Sequence, residues 1–182
     1  QHIGAPAVPL VAKGDRVLMG QKIAEGQAFI SANIHSSVSG TVKSIEPRIT
    51  ATGMKVNAII VENDGMYETV EAEPQTKRID ELKPDEIRAL VKEAGVVGMG
   101  GAGFPTHVKL SPKNEGDIDT IIVNAAECEP YLTSDYRRIL EETDKLINGL
   151  KVVLQVFPKA TGHIAVEDNK PDAIRLLKEK TQ

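Results

Sequence analysis

The sequence is poor in aromatic and sulfur-bearing side chains. It has no tryptophan, aromatic residues make up 3% of its 182 residues, and Cys128 is its only cysteine. A single thiol cannot form an internal disulfide or hold an iron–sulfur cluster, and one cysteine fits a reducing compartment. The low aromatic content argues against a protein that binds single-stranded nucleic acid by stacking its bases.

The sequence also lacks a long hydrophobic run and an excess of positive charge. No apolar stretch reaches the roughly 18 to 20 residues that a membrane-spanning helix needs. We therefore expect no transmembrane segment in this chain. No signal peptide is recognisable either. The formal net charge of −4 argues against a nucleic-acid partner. The chain opens on Gln1 rather than Met, and we expect it to be a piece of a longer protein.

The first 65 residues have the pattern of a small β domain. Short apolar runs such as 8–11 and 56–61 are interrupted by turn signals, among them Gly14-Asp15 and Asn63-Asp64-Gly65. This spacing is too short for helices and predicts a barrel or sandwich at 1–65. The polar residues 66–83 are predicted to form a linker.

From residue 84 to residue 182 the pattern changes to alternating helices and strands. Pro84 with two following acids predicts a helix start, and Gly95 predicts its end. The further predicted elements are a buried strand at 120–124, a helix at 133–157 in two pieces capped by Thr133 or Ser134, a strand at 163–166 and a helix at 171–180. This alternation predicts an α/β domain with a parallel sheet, and an α+β fold overall.

Two half-motifs in the β domain resemble the biotinyl/lipoyl-type barrel-sandwich hybrid. They are residues 13–24 and 38–42. Carrier domains of this type display a lysine on a hairpin between the halves, whereas residues 27–33 contain none. We therefore favour a structural or docking role over a carrier role, although a fold does not fix a function.

The most informative stretch is the glycine loop, residues 98–103, with the residues that follow it. Four glycines in six positions expose backbone N–H groups that can bind an anion, and Lys109 can add a positive charge. The spacing satisfies G-x-G-x-x-G, but a helix precedes the loop where a dinucleotide fingerprint needs a strand. A phosphate-binding loop of another architecture is favoured over a tight connection without a ligand.

A second polar segment, Asn124–Tyr131, follows the predicted strand at 120–124. Ligands bind α/β sheets at the carboxyl ends of their strands, and Asn and Glu side chains can hydrogen-bond sugar hydroxyls or amides. The alternative interpretation is a solvated acidic turn.

These two segments together resemble the RnfC family, the flavin-site subunit of the Rnf electron-transport complex. They are similar, more distantly, to the flavin-bearing, NADH-oxidising subunit of respiratory complex I. Residues 166–171, Val-Glu-Asp-Asn-Lys-Pro, follow in family order. The N-terminal residues 1–6 and the barrel half-motifs match the Rnf branch, so the resemblance spans essentially the whole chain.

The resemblance implies a domain that binds FMN, takes a hydride from NADH and passes electrons to iron–sulfur clusters. It implies that the loop glycines form a backbone wall for flavin and nucleotide, that Lys109 contacts the flavin phosphate and that Asn124 lies near the isoalloxazine and ribityl groups. It also implies that Phe104 packs beside the nicotinamide and that three acids line the pocket. The implied cofactor-binding residues are Gly98, Gly100, Gly101, Gly103, Phe104, Lys109, Asn124, Glu127, Glu129 and Glu167. No catalytic side chain or metal ligand is assigned.

Two positions depart from the complex I pattern. Met99 replaces an arginine and His107 replaces a glycine, so the role of that arginine does not transfer. We expect His107 to orient the loop or to face solvent.

The implied function is that of a peripheral subunit on the cytoplasmic face of the bacterial membrane. It belongs to an ion-translocating NADH:ferredoxin oxidoreductase complex, whose other subunits, NAD(H) and, indirectly, ferredoxin are its partners. The family's two [4Fe–4S] clusters lie in a C-terminal region that this chain lacks, so we expect these 182 residues to bind FMN weakly or not at all. The alternatives are a non-catalytic subunit-docking module without flavin, and a biotinyl-like carrier or transferase, which the missing lysine disfavours.

Overall fold

A computed structural model of the chain describes residues 2–50, 53–71, 77–99 and 102–181. Spatial contacts divide the chain into two compact units. Unit 1 contains residues 1–76 and 88–111, and unit 2 contains residues 77–87 and 112–182. The domain boundaries predicted at residues 65 and 84 stay a prediction.

Unit 1 contains two antiparallel three-stranded sheets. Their strands are β1 (Val8–Pro9), β2 (Arg16–Val17), β3 (Lys22–Glu25), β4 (Ile34–His35), β5 (Gly40–Ile49) and β6 (Lys55–Asn63). One sheet has the order β1-β3-β4 and the other has the order β2-β5-β6. Two antiparallel sheets fit the small barrel or sandwich that the sequence predicts, although β5 and β6 are longer than its short apolar runs suggest.

The two half-motifs supply the core of this unit. Val17, Ile23 and Val42 are buried together, so each half-motif contributes side chains to one cluster. Gly40 begins β5 at a φ of 155°, where an added methyl group would lie 2.0 Å from the Glu62 carbonyl oxygen. This position needs glycine because β5 and β6 approach so closely there.

The first helix, α1 (Pro84–Glu93), begins and ends where the sequence predicts. Asp85 and Glu86 lie in its first turn, where negatively charged side chains stabilise the helix by interacting with the positive end of its dipole. Gly95 follows it with a φ of 65°, and the N–H groups of Gly95 and Val96 donate to the carbonyls of Lys92 and Val91. This is a Schellman ending. The division between the units falls inside α1, after Ile87.

Unit 2 is built on two parallel strands. After the short helix α2 (Thr106–Lys109) of unit 1, the chain forms β7 (Thr120–Asn124), α3 (Ser134–Val156), β8 (Thr161–Ala165) and α4 (Pro171–Lys180). β7 and β8 pair in parallel, with Thr120 opposite Thr161 and Asn124 opposite Ala165. The predicted parallel sheet is confirmed. So are the two pieces of α3, because Glu142 has non-helical angles inside it.

The core of unit 2 lies on one face of this sheet. Ile139, Ala173 and Leu177 are buried there, with Ile164 packed against them. The prediction that residues 120–124 form a fully buried strand is wrong, because the side chain of Ile122 is 64% exposed. Alternate residues of a strand point to opposite faces, and the helices of unit 2 cover one of them.

The described residues contain neither a membrane span nor a metal-ligand cluster. None of the helices in the described ranges is long and apolar enough to cross a membrane. In the same ranges, no three His, Cys, Asp or Glu side chains come together in a group that could hold a metal ion.

We predict that Gly95→Ala destabilises unit 1 more than Gly65→Ala does. Both glycines have positive φ values, 65° and 72°, where a side chain costs about 1–2 kcal/mol. An added methyl group at Gly95 would also lie 2.4 Å from the Asn33 carbonyl oxygen, whereas at Gly65 it would meet nothing within 4 Å. Urea unfolding of the two variants measures the difference, and equal losses of unfolding free energy would contradict this packing.

Candidate functional site

The described residues on either side of the glycine loop pair with one another in unit 1. Val97 pairs with Pro105, and the Gly98 N–H donates to the Phe104 carbonyl at 3.0 Å. The Gly98 N–H is therefore used inside the hairpin and is not one of the amides left to face an anion. Gly103 has a φ of 64° and turns the chain back toward α2. The predictions for Gly100 and Gly101 lie outside the described residues.

Lys109 lies over the start of this loop. It is exposed and forms no ion pair with any residue in the described part of the chain. A methyl group added at Gly98 would lie 3.9 Å from the Lys109 Nζ, and 3.6 Å from the Phe104 nitrogen. Phe104 itself is half-buried. An unpaired ammonium beside a glycine loop is an arrangement that attracts a phosphate.

His107 is buried, so of the two alternatives expected for it, orienting the loop or facing solvent, the second is wrong. It is 6% exposed, and its Nε2 lies 3.1 Å from the Phe29 carbonyl oxygen. A carbonyl only accepts, so Nε2 carries the proton. Burial lowers the pKa of His107 below its usual value, and nearby Lys92 acts in the same direction. The ring is neutral at physiological pH, because protonation of Nδ1 would leave a buried donor without a partner among the described residues.

The second predicted segment lies at the carboxyl edge of the parallel sheet in unit 2. Asn124 ends β7, and its side-chain carbonyl accepts a hydrogen bond from the Ala126 N–H at 3.2 Å. Glu167 follows β8 and lies 3.9 Å from Lys170. Asn124 at the end of β7 and Glu167 after β8 thus lie at the same edge of the parallel sheet.

Glu127 is bound to the first turn of α3. Its carboxylate accepts hydrogen bonds from the N–H groups of Asp135 at 2.9 Å and Tyr136 at 3.1 Å, and from the Ser134 hydroxyl at 3.3 Å. Neither Thr133 nor Ser134 caps the helix through its own side chain. The predicted cap is therefore wrong: the helix takes its cap from the preceding loop. The Asp135 N–H is the largest cause that holds the pKa of Glu127 below its usual value.

Glu129 and Cys128 are exposed on the same loop. The Glu129 side chain makes no hydrogen bond or ion pair with any residue in the described ranges. Tyr131 further along is fully exposed at a φ of 66°. Of the two acids predicted as a pair, one is thus engaged with a helix and the other is open to solvent.

Three residues that the sequence did not single out complete this edge. The Tyr136 hydroxyl donates to Asp172 at 2.5 Å, which raises the pKa of Tyr136 and lowers that of Asp172. The Lys170 Nζ lies 5.0 Å from the centre of the Tyr136 ring, a cation–π distance. Lys170 stands in the Glu-Asp-Asn-Lys-Pro motif and could have been noticed. Tyr136 and Asp172 are 36 residues apart, and no local pattern links them.

The predicted site residues are divided between the two units. Unit 1 carries the glycine loop, Phe104 and Lys109, and unit 2 carries Asn124, Glu127, Glu129 and Glu167.

Comparison with known protein families gives two matches along the chain. Residues 1–66 match the RnfC barrel sandwich hybrid domain, and residues 91–182 match the Nuo51 FMN-binding domain. The chain belongs to the Nuo51 FMN-binding domain family. Together the two matches correspond to the N-terminal portion of an RnfC subunit, which confirms the resemblance and the α+β fold class with its barrel-sandwich part.

Curated relatives of this chain are the C subunits of ion-translocating oxidoreductase complexes. It is 47% identical over 178 residues to that of the proton-translocating ferredoxin:NAD(+) oxidoreductase complex of Clostridium ljungdahlii, covering 98% of this chain and 39% of the relative. It is 42% identical over 179 residues to that of the Na(+)-translocating complex of Acetobacterium woodii, covering 97% of this chain and 40% of the relative. The chain therefore spans about two fifths of the length of these relatives.

We predict that Glu127→Gln destabilises unit 2 in a pH-dependent way. The folded protein holds the pKa of Glu127 below its usual value, so this stabilisation is fully present well above that usual value and is lost as the pH falls through the folded-state pKa. The difference between the melting temperatures of wild type and variant should therefore be largest near neutral pH and vanish in acid.

Thermal unfolding from about pH 7 to about pH 3 measures this difference. Glu129→Gln is the matched control, since it removes an exposed carboxylate from the same loop. A constant difference for Glu127→Gln across the range, or equal effects of both variants, would refute the capping role.

Proposed function

We propose that the full natural protein is an FMN-bearing electron-transfer subunit of an ion-translocating ferredoxin:NAD⁺ oxidoreductase complex. The names of the curated relatives and the FMN-binding family support this proposal. On this proposal the protein is peripheral to the membrane on its cytoplasmic face. Its partners are the other subunits, NAD(H) and, indirectly, ferredoxin, and iron–sulfur clusters accept the electrons.

The observation that carries the proposal is the position of Lys109. An exposed ammonium without an ion pair in the described ranges lies over the first glycine of a loop that turns at Gly103. We assign Lys109 and the glycine loop to the phosphate of FMN, with Phe104 beside the nicotinamide of NADH.

The residues of unit 2 are assigned to the polar parts of the cofactor and the nucleotide. Asn124 uses its side-chain carbonyl in its own turn, so its amide group is the part proposed to bind the flavin. Glu129 is the acid proposed to contact the nucleotide directly, because its carboxylate is exposed. Glu127 and Glu167 are proposed to shape the edge, since each already has a partner of its own.

When bound, FMN supplies the hydride and electron-transfer chemistry of such a subunit. The residues of this chain would bind the phosphate, orient the cofactor and set the charge around it. No side chain of this chain is assigned a catalytic proton transfer.

We predict that Lys109→Gln weakens FMN binding to the full natural protein by roughly tenfold or more. A hydrogen bond to a charged group contributes about 1.5–3 kcal/mol, and about 1.4 kcal/mol corresponds to a factor of ten. Titration followed by flavin fluorescence gives the dissociation constant. Lys113→Gln removes another exposed lysine nearby in sequence and should leave it unchanged. Equal affinities of the two variants would overturn the assignment of Lys109.

We predict that Gly98→Ala does not destabilise the protein but weakens FMN binding. A methyl group there meets only ordinary contacts, at 3.6 Å or more, and the backbone angles do not require glycine. Loss of flavin binding without loss of unfolding free energy therefore reports that a ligand approaches this backbone. Unchanged FMN affinity would show that the cofactor does not pass over Gly98.

The second candidate function is a subunit-docking module without bound flavin. The binding of Glu127 to the first turn of α3 favours it, because a pocket acid of the family is here engaged in the fold. Flavin absorbance of the full natural protein after purification separates the two. Stoichiometric flavin supports electron transfer, and its absence after reconstitution with FMN supports the docking module.

A further inference from the structure

The β3–β4 loop of the barrel, residues 26–33, lies against the segment that carries the glycine loop. We call residues 93–107 the glycine segment. The Asn33 side chain donates to both the backbone carbonyl and the carboxylate of Glu93, at 3.3 Å and 3.2 Å. It also accepts a hydrogen bond from the Gly26 N–H at 3.0 Å. Asn33 is 5% exposed, so one buried amide joins the β3–β4 loop to the end of α1.

A second contact lies on the far side of the glycine loop. The Nε2 of His107 donates to the Phe29 carbonyl at 3.1 Å, and the two rings meet edge to face with centroids 6.4 Å apart. The β3–β4 loop therefore holds the glycine segment at both ends, before the loop through Asn33 and after it through His107.

The N-terminal residues add a third contact. The Ile3 N–H donates to the Gly103 carbonyl at 3.2 Å, and the Ala5 N–H donates to the Ile30 carbonyl at 2.9 Å. The Ser31 hydroxyl also donates to the Ala5 carbonyl at 2.8 Å. Residues 3–5 thus link the last glycine of the loop to the β3–β4 loop.

We propose that the β3–β4 loop of the barrel positions the glycine loop, with Asn33 and His107 as the positioning residues. The barrel then determines whether the loop has the conformation that receives a ligand's phosphate. This proposal uses the FMN binding proposed above only for its ligand readout, since the contacts themselves lie within unit 1 and need no ligand.

Two variants of the full natural protein remove the contacts separately. Asn33→Asp keeps the acceptor for the Gly26 N–H but loses both donors and sets a carboxylate beside that of Glu93. His107→Leu removes the donor to Phe29, and His107→Gln retains an amide donor there and should restore the contact. Ser36→Ala is the matched control, because Ser36 is a buried side chain of the same barrel that bonds the Val38 carbonyl instead.

Hydrogen exchange without flavin is the first readout. Asn33→Asp and His107→Leu should each speed exchange in residues 95–109 by roughly fivefold or more, with the β2 and β5 amides unchanged. His107→Gln and Ser36→Ala should leave residues 95–109 as in wild type. FMN affinity is the second readout, and it should fall in the first two variants and recover in His107→Gln.

Each other outcome overturns part of the account in a distinct way. Unchanged exchange in residues 95–109 overturns the positioning role, whatever FMN does. Faster exchange throughout the barrel means that Asn33 and His107 only stabilise the fold, which also overturns it. Faster exchange in residues 95–109 with unchanged FMN affinity overturns the claim that the barrel controls ligand binding through this loop. Wild-type protein that binds no FMN overturns the proposed function instead, while the exchange result still decides the positioning role.

Discussion

The close contact between the Asn33 carbonyl and Gly95 is the constraint on which unit 1 depends. A positive φ at Gly95 ends α1 and turns the chain into the hairpin of the glycine loop. The missing side chain at the same residue lets the Asn33 carbonyl come so near that an added methyl group would lie 2.4 Å from it. One glycine thus ends a helix and places the following residues against the barrel.

The positions of several elements could be predicted because their signals are local. Proline with acids at 84, the β-branched run at 120–124 and the proline at 171 predict the start of α1, both ends of β7 and the start of α4. β8 begins at Thr161, two residues before the prediction, because Thr161 and Gly162 add no apolar signal. Register with β7 decides that boundary, and register is a property of two strands.

The candidate site was predictable in its residue types and only partly in its contacts. Lys109 and Asn124 are candidates because lysine beside glycines and asparagine at the end of a strand suit a ligand, and their binding roles stay predictions. The contacts of Glu127, Asn33 and His107 could not be predicted, since their partners lie 8, 60 and 78 residues away in sequence. Glu127 shows the consequence most clearly: a carboxylate that the sequence suggests for a pocket also satisfies the first N–H groups of a helix.

The His107 imidazole joins the segment after the glycine loop to the barrel, through its hydrogen bond to the Phe29 carbonyl. NMR of the ¹⁵N-labelled protein at neutral pH can read the state of this ring directly. We expect a neutral imidazole with its proton on Nε2, protected from exchange by the Phe29 carbonyl. A protonated ring, a proton on Nδ1, or an Nε2 proton that exchanges as freely as in solvent would show that the barrel does not hold the segment after the glycine loop.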